Sequence, residues 1–416
     1  MSRTTPHQRA RRQRGQILPL AAFGILVAGA ALIMMFNTGQ KITEKSMVAN
    51  AADAAAYSAG VWTARHLNYL AYTNRAMVAN HVAVGHYVSY ISWFRYVEFS
   101  IDSIQDFTSW VPYWGQFITA AERIVTTVKE INDQAARVLV PLMDGLNVAY
   151  RTSQDEISAS LIYGGATGLD RVMEETARTY DPNISVNNTG ELNALPGVLS
   201  APLIAKVQYQ RVELPRFVER YTAGQDSGRI TQLITATVRA NGDNRRWIEG
   251  NRGWGLPVVP SAVEFRKGGS TTNSQNRTRA DWNASDRLEF CTRPLIGGWD
   301  CSRIGRNLGS ARATEFARNY SGVPNYYNLR GNVQNNRSLE IAAVAAKRQS
   351  TVRTRNVLDV TAEDAPMMVA ALAKVEFSRP SAGLGFPTHG SNRTEYANLF
   401  NPFWEAHLAD IPVPGI

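Results

Sequence analysis

Three stretches of the chain carry three different hydrophobic patterns. From Gln16 to Phe36 apolar residues run almost without interruption: 21 positions, no charge, and one polar side chain, at the first. At ~1.5 Å per residue this run spans about 30 Å as a helix, one hydrocarbon core. From about residue 40 to 240, apolar positions recur at the helical spacing of three and four, as in Ile118, Ala121, Ile124, Val128, Ile131 and Ala135. From 241 on, short apolar pieces (LPVV at 256–259, AVEF at 262–265, LEF at 288–290) sit among Asn, Gly, Arg and Ser. That texture predicts short strands and long loops.

These patterns predict an α+β protein with a long N-terminal transmembrane and periplasmic helix. A helical middle region and a loop-rich C-terminal region with short strands follow. The expected divisions are a basic cytoplasmic tail (1–15), a transmembrane helix (16–36), a mainly helical periplasmic region (37–240) and an α+β region (241–416). No proline lies between Pro19 and Pro112, so the membrane helix can continue outward, with a kink expected near Gly60. Residues 40–56 are rich in alanine, which favours helix and lets a neighbour approach closely. Ala51, Ala52 and Ala55 are therefore candidate helix-packing positions. Ten of the 44 residues at 57–100 are aromatic and four are Lys, Arg, Asp or Glu. Such a surface is covered either by the protein's own core or by a partner or membrane surface. Trp62, Tyr69 and Tyr72 are candidates for the second role.

Further along, 181–200 reads as a loop and 200–240 as two helices broken at Pro215 and Gly224. GGSTTNSQNRTR at 268–279 reads as a flexible or exposed loop. Residues 366–374 have a helical pattern and KVEF at 374–377 a strand-like one. Asn401-Pro402 reads as an N-cap and first helical position.

Charge refines the picture. The 416 residues carry a net +9, unevenly placed. Residues 1–15 hold Arg3, Arg9, Arg11, Arg12 and Arg14 and no acid. Arginines on this flank put the N-terminus in the cytoplasm and the bulk outside. The run is longer than a signal-peptide core and no A-x-A follows it, which favours a retained anchor over cleavage. Residues 239–355 hold 20 basic and 9 acidic side chains, net +11, with Trp247, Trp254 and Trp282 among them. This block is either a solvated surface or a site for an anionic glycan or DNA. The two cysteines, Cys291 and Cys301, lie on the outer side, where a disulfide persists.

Catalytic signatures are missing. The chain has no P-loop, no dinucleotide fingerprint, no nucleophile elbow, no H-E-x-x-H and no EF-hand loop. His81 and His86 are five apart, not the four that put two ligands on one helical face. His66, Leu70, Asn74, Met77 and His81 form a stripe that reads as a helix contact with satisfied polar groups. No enzyme activity, cofactor or metal is expected.

Arg11-Arg12-Gln13-Arg14-Gly15-Gln16, the membrane run, and Val48-Ala49-Asn50-Ala51-Ala52-Asp53-Ala54-Ala55-Ala56 together resemble the TadE/TadG-like family of Flp (tight adherence, Tad) pilus-assembly proteins. Tyr72–Asn80 and Asn398–Trp404 resemble a TadG-type subgroup. The resemblance implies a single-pass inner-membrane protein that serves pilus assembly through contacts with other assembly proteins. Two features depart from relatives. Cleavage after Gly15 would leave Leu20, not Glu, at the fifth mature position, and the D-x-S-x-S of a von Willebrand A domain does not occur.

Overall fold

The computed structural model describes residues 17–108, 114–162, 168–188, 227–240, 252–275, 280–294, 297–323, 338–352, 366–378 and 397–411, with isolated positions between 190 and 248. Arg9, Arg11, Arg12 and Arg14 lie outside them, as does most of the region 189–226.

The fold is built along one helix. α1 (Ile17–Thr108) has 92 residues and no break, at Gly60 or elsewhere, a rise of about 140 Å. Its large apolar side chains between Ile17 and Phe36, apart from half-buried Ile33, are solvent-exposed, as a membrane span requires. Burial begins abruptly beyond. Val48, Ala51, Ala52, Ala55, Ala56 and Ala59 fall at three- and four-residue steps and are fully buried. α2 (Trp114–Ile162) returns antiparallel along α1, with Pro141 inside it. Contacts step down one helix as they step up the other: Glu98 with Lys129, Asn80 with Asn147, Thr73 with Gln154. α3 (Leu169–Arg178) buries Leu169, Met173 and Ala177, one i, i+4, i+8 face. α4 (Ser227–Ala240) buries Ile230, Ile234 and Val238 in the same way.

Two four-stranded antiparallel sheets pack on the outer part of α1. The sheet nearer the membrane run is β1 (Ile184–Val186), β6 (Ser338–Arg348), β7 (Pro366–Phe377) and β8 (Trp404–Ala409), in that order. The farther sheet is β2 (Trp254–Val259), β3 (Val263–Gln275), β4 (Ala280–Thr292) and β5 (Asp300–Arg312). A single helical turn, α5 (Ala313–Phe316), follows β5.

Three expectations are corrected. Residues 366–374 are strand, not helix: β7 pairs along its length with β6 and through Leu372–Phe377 with β8. Its alanines suit a strand here because Ala371, Ala373 and Val375 alternate toward α1. Asn401 does not start a helix. Asn398 Oδ1 accepts from the N–H groups of Phe400 and Asn401, a turn that feeds β8. Gly268–Gln275 are not an open loop but half of β3, and β3, β4 and β5 have 13 residues each. Pairing with β4 overrides the polar, glycine-rich composition: Gly268–Gln275 are bonded residue by residue to Ala280–Arg287, while β2 covers only Val263–Lys267 on the other side.

Candidate functional site

α1 is joined to the sheets at four levels, each built from side chains far apart in sequence. At the level nearest the membrane run, Lys347 at the end of β6 bonds Asp181 at 2.8 Å and Glu44 of α1. Burial alone would lower the Lys347 pKa. The bonds to the two carboxylates outweigh it and raise the value. Above it comes Gly60, where a Cβ would lie 3.1 Å from the Ala406 Cβ and 3.2 Å from that of Ala373. Glycine and alanine thus bring the helix close to β7 and β8.

The second level is made of amides. Asn68 Nδ2 donates to the Trp404 carbonyl at 2.8 Å, and its Oδ1 accepts from the Trp404 N–H at 3.0 Å. Asn74 Nδ2 donates to the Leu399 carbonyl at 2.7 Å, while its Oδ1 accepts from Gln154 of α2 at 2.9 Å. Asn147 of α2 accepts from Asn80 and donates to the Gly322 carbonyl. Asn74, Asn147 and Gln154 are buried, and such amides fix register, since a one-turn slip would leave their polar groups unpaired.

The third level centres on His81, fully buried. Its Nδ1 accepts from the Tyr320 hydroxyl at 2.6 Å and its Nε2–H donates to Asn273 Oδ1 at 3.1 Å. Burial pulls its pKa from 6.5 to about 4, so the ring is neutral at pH 7. The Trp282 indole N–H bonds the His81 carbonyl at 2.7 Å. Gly85, one turn on, makes room for the Trp282 ring: a Cβ there would sit 2.7 Å from it.

The fourth level is ionic. Asp286 of β4 is fully buried and accepts from Ser92 of α1 at 2.6 Å, from Lys267 at 2.6 Å, and from Arg252 at 3.0 and 3.2 Å. Burial lowers the Lys267 pKa, and Asp286 offsets part of that. Gly269 and Gly309 are required here by space. A Cβ would fall 2.2 Å from Asp286 Oδ1 at the first and 2.1 Å from the Ser92 carbonyl oxygen at the second. Just beyond, Arg95 pairs with Glu315 at 2.7 Å.

The residues singled out from sequence fall as follows. Ala51, Ala52 and Ala55 are enclosed by the chain's own core. Trp62 is half-buried against that core, Tyr69 bonds Ser153 through its hydroxyl, and Tyr72 is 63% exposed. Cys291 and Cys301 are cross-strand neighbours on β4 and β5 and form a disulfide. Glu289, Cys291 and Cys301 are the group of metal-ligating residue types among the described residues, and a disulfide leaves no thiolate to bind an ion. The basic block turns many charges inward or onto neighbours: Arg252 and Lys267 on Asp286, Arg266 on Glu264, Arg287 and Arg303 on Glu289. Sequence reasoning missed Asn68, Asp286 and Lys347. Each is an ordinary polar residue until its distant partner is placed beside it.

Comparison with known proteins gives one finding. Residues 15–65 match the family model described as putative Flp pilus-assembly TadE/G-like. No curated protein and no solved structure matches the chain.

Proposed function

We propose that this chain, whose residues 15–65 match the TadE/G-like pilus-assembly family, is a membrane-anchored component of a Tad/Flp-type pilus-assembly system. It works through protein–protein contacts. Its tail is cytoplasmic, one helix crosses the bacterial inner membrane, and the two sheets stand in the periplasm, where other pilus-assembly proteins are its partners. The observation that carries this reading is where the matched segment lies. It covers the exposed apolar run and continues into the alanine face at Val48–Ala59, around which the nearer sheet is built. Anchor and body thus share one continuous helix, α1.

Deleting the gene tests the function: cells without it should lack pili, and normal piliation would refute the role. Protease applied to right-side-out spheroplasts tests the topology. The bulk should be digested, whereas full protection would place it on the other side.

A further inference from the structure

α2 carries two seams, and among the described residues the inner one is the buried one. The inner seam, through Ala136, Val140, Asn147 and Gln154, is buried against α1 and its surroundings. The outer seam runs Ile124, Val128, Ile131, Ala135, Val138, Leu142, in steps of four and three, and Ala121, Gly145 and Ala149 continue it at both ends. Four of its residues face solvent, Ile124 at 65% exposed, Ile131 at 60%, Val138 at 66% and Leu142 at 53%, while Val128 and Ala135 are half-buried.

The spacing averages 3.5 residues, the repeat of a left-handed coiled coil. In that register Ala121, Val128, Ala135 and Leu142 are a positions and Ile124, Ile131 and Val138 are d positions. The flanking positions Val125, Thr127, Asn132, Gln134 and Leu139 carry no charge. Charges at these flanks are what normally choose an unlike partner or repel an identical one. The charged Arg123, Glu130 and Arg137 sit one position farther round, off the seam.

Anchoring supplies the orientation. Copies held in one membrane by the N-terminal end of α1 stand side by side with their α2 helices running the same way. An axis along the membrane normal then pairs the seam with itself, parallel and in register, and an isologous patch of this kind closes on itself.

We infer that the outer seam of α2 is a homotypic interface, on which α2 of a second copy of this chain packs parallel and in register. The inference rests on the membrane anchoring proposed above and not on the pilus role.

Both natural cysteines are in the disulfide, so an introduced thiol is alone. The full-length chain in its native membranes carries Ile131→Cys or Val138→Cys at d, with Glu130→Cys and Arg137→Cys as off-seam controls. A short bismaleimide is applied. The seam variants should give a species of twice the chain mass, several-fold more than the controls. Adding Ile131→Asp to Val138→Cys should reduce it roughly tenfold or more, because each strand would bury an unpaired carboxylate. Equal yields from seam and control positions, no dimer, or cross-linking to a different protein would overturn the inference. Carbonate extraction of the same membranes separates the two ways to fail. A released chain refutes the anchor and with it the parallel register, and a retained chain without cross-link refutes the seam alone.

Discussion

Asn68 of α1 binds both backbone groups of Trp404, 336 residues later: its amide donates to the carbonyl at 2.8 Å and accepts from the N–H at 3.0 Å. The start of β8 is thereby bonded to the helix as another strand would bond it, and the last strand is fixed to the anchor. Asn68→Ala should cost about 1–3 kcal/mol, because two backbone groups lose their partner beside a buried indole. Thermal unfolding of the detergent-solubilised chain measures it. Asn68→Asp can accept but not donate, and at neutral pH it should be no better than alanine.

Close approach sets the second expectation. At Gly309 a Cβ would collide with the Ser92 carbonyl oxygen at 2.1 Å and press on Tyr96, and neither backbone can yield without moving the sheet off α1. At Gly85 it would meet the Trp282 ring, a buried group held by its own hydrogen bond. Gly85→Ala should destabilise by about 1–3 kcal/mol. Gly309→Ala should cost more, which chemical denaturation of both variants will rank.

Asp286 receives both Arg252 and Lys267 in the farther sheet's interior. Asp286→Asn keeps the shape but leaves two buried cations short of an anion, at a cost of about 3–5 kcal/mol. The double variant Asp286→Asn with Lys267→Met should recover part of the loss. A denaturation series on the two variants checks the order, and equal stability of Asp286→Asn and the parent would contradict the assigned ion pairs.

His81 gives the pH dependence. Its folded pKa, about 4, lies below the unfolded value near 6.5. Between these values the unfolded chain binds the extra proton, so stability falls as pH drops from about 6.5 toward 4 and is fully present above. The loss can reach about 3 kcal/mol. His66 and His86 are also depressed by burial and act with the same sign. Unfolding midpoints between pH 4 and 7.5 should show this slope, and His81→Gln should flatten it.

What the sequence revealed depended on range. α1 was legible because its signals are local: an uncharged run, then no proline before Pro112, then alanine at helical steps. α2 was legible in the same way from Ile124 to Ala135. β7 was not, because PMMVAALAKVEF has the composition of a helix and becomes a strand only with β6 on one side and β8 on the other. Gly269 looked like part of a loose loop. Its reason is the Asp286 carboxylate across the ladder, which no local pattern announces. Ala51, Ala52 and Ala55 read as helix-packing positions from their small size, and what packs on them, the chain's own core, was not legible locally.

The central claim is that α1 is at once membrane anchor and spine of the periplasmic body in a pilus-assembly component. The most direct measurement is piliation in a strain lacking the gene, complemented either by the full chain or by residues 37–416 exported behind a cleavable signal peptide. The account predicts pili with the full chain and none with the released body, although that body is present in the periplasm at equal level. Pili restored by the released body, or pili in the uncomplemented strain, would contradict it.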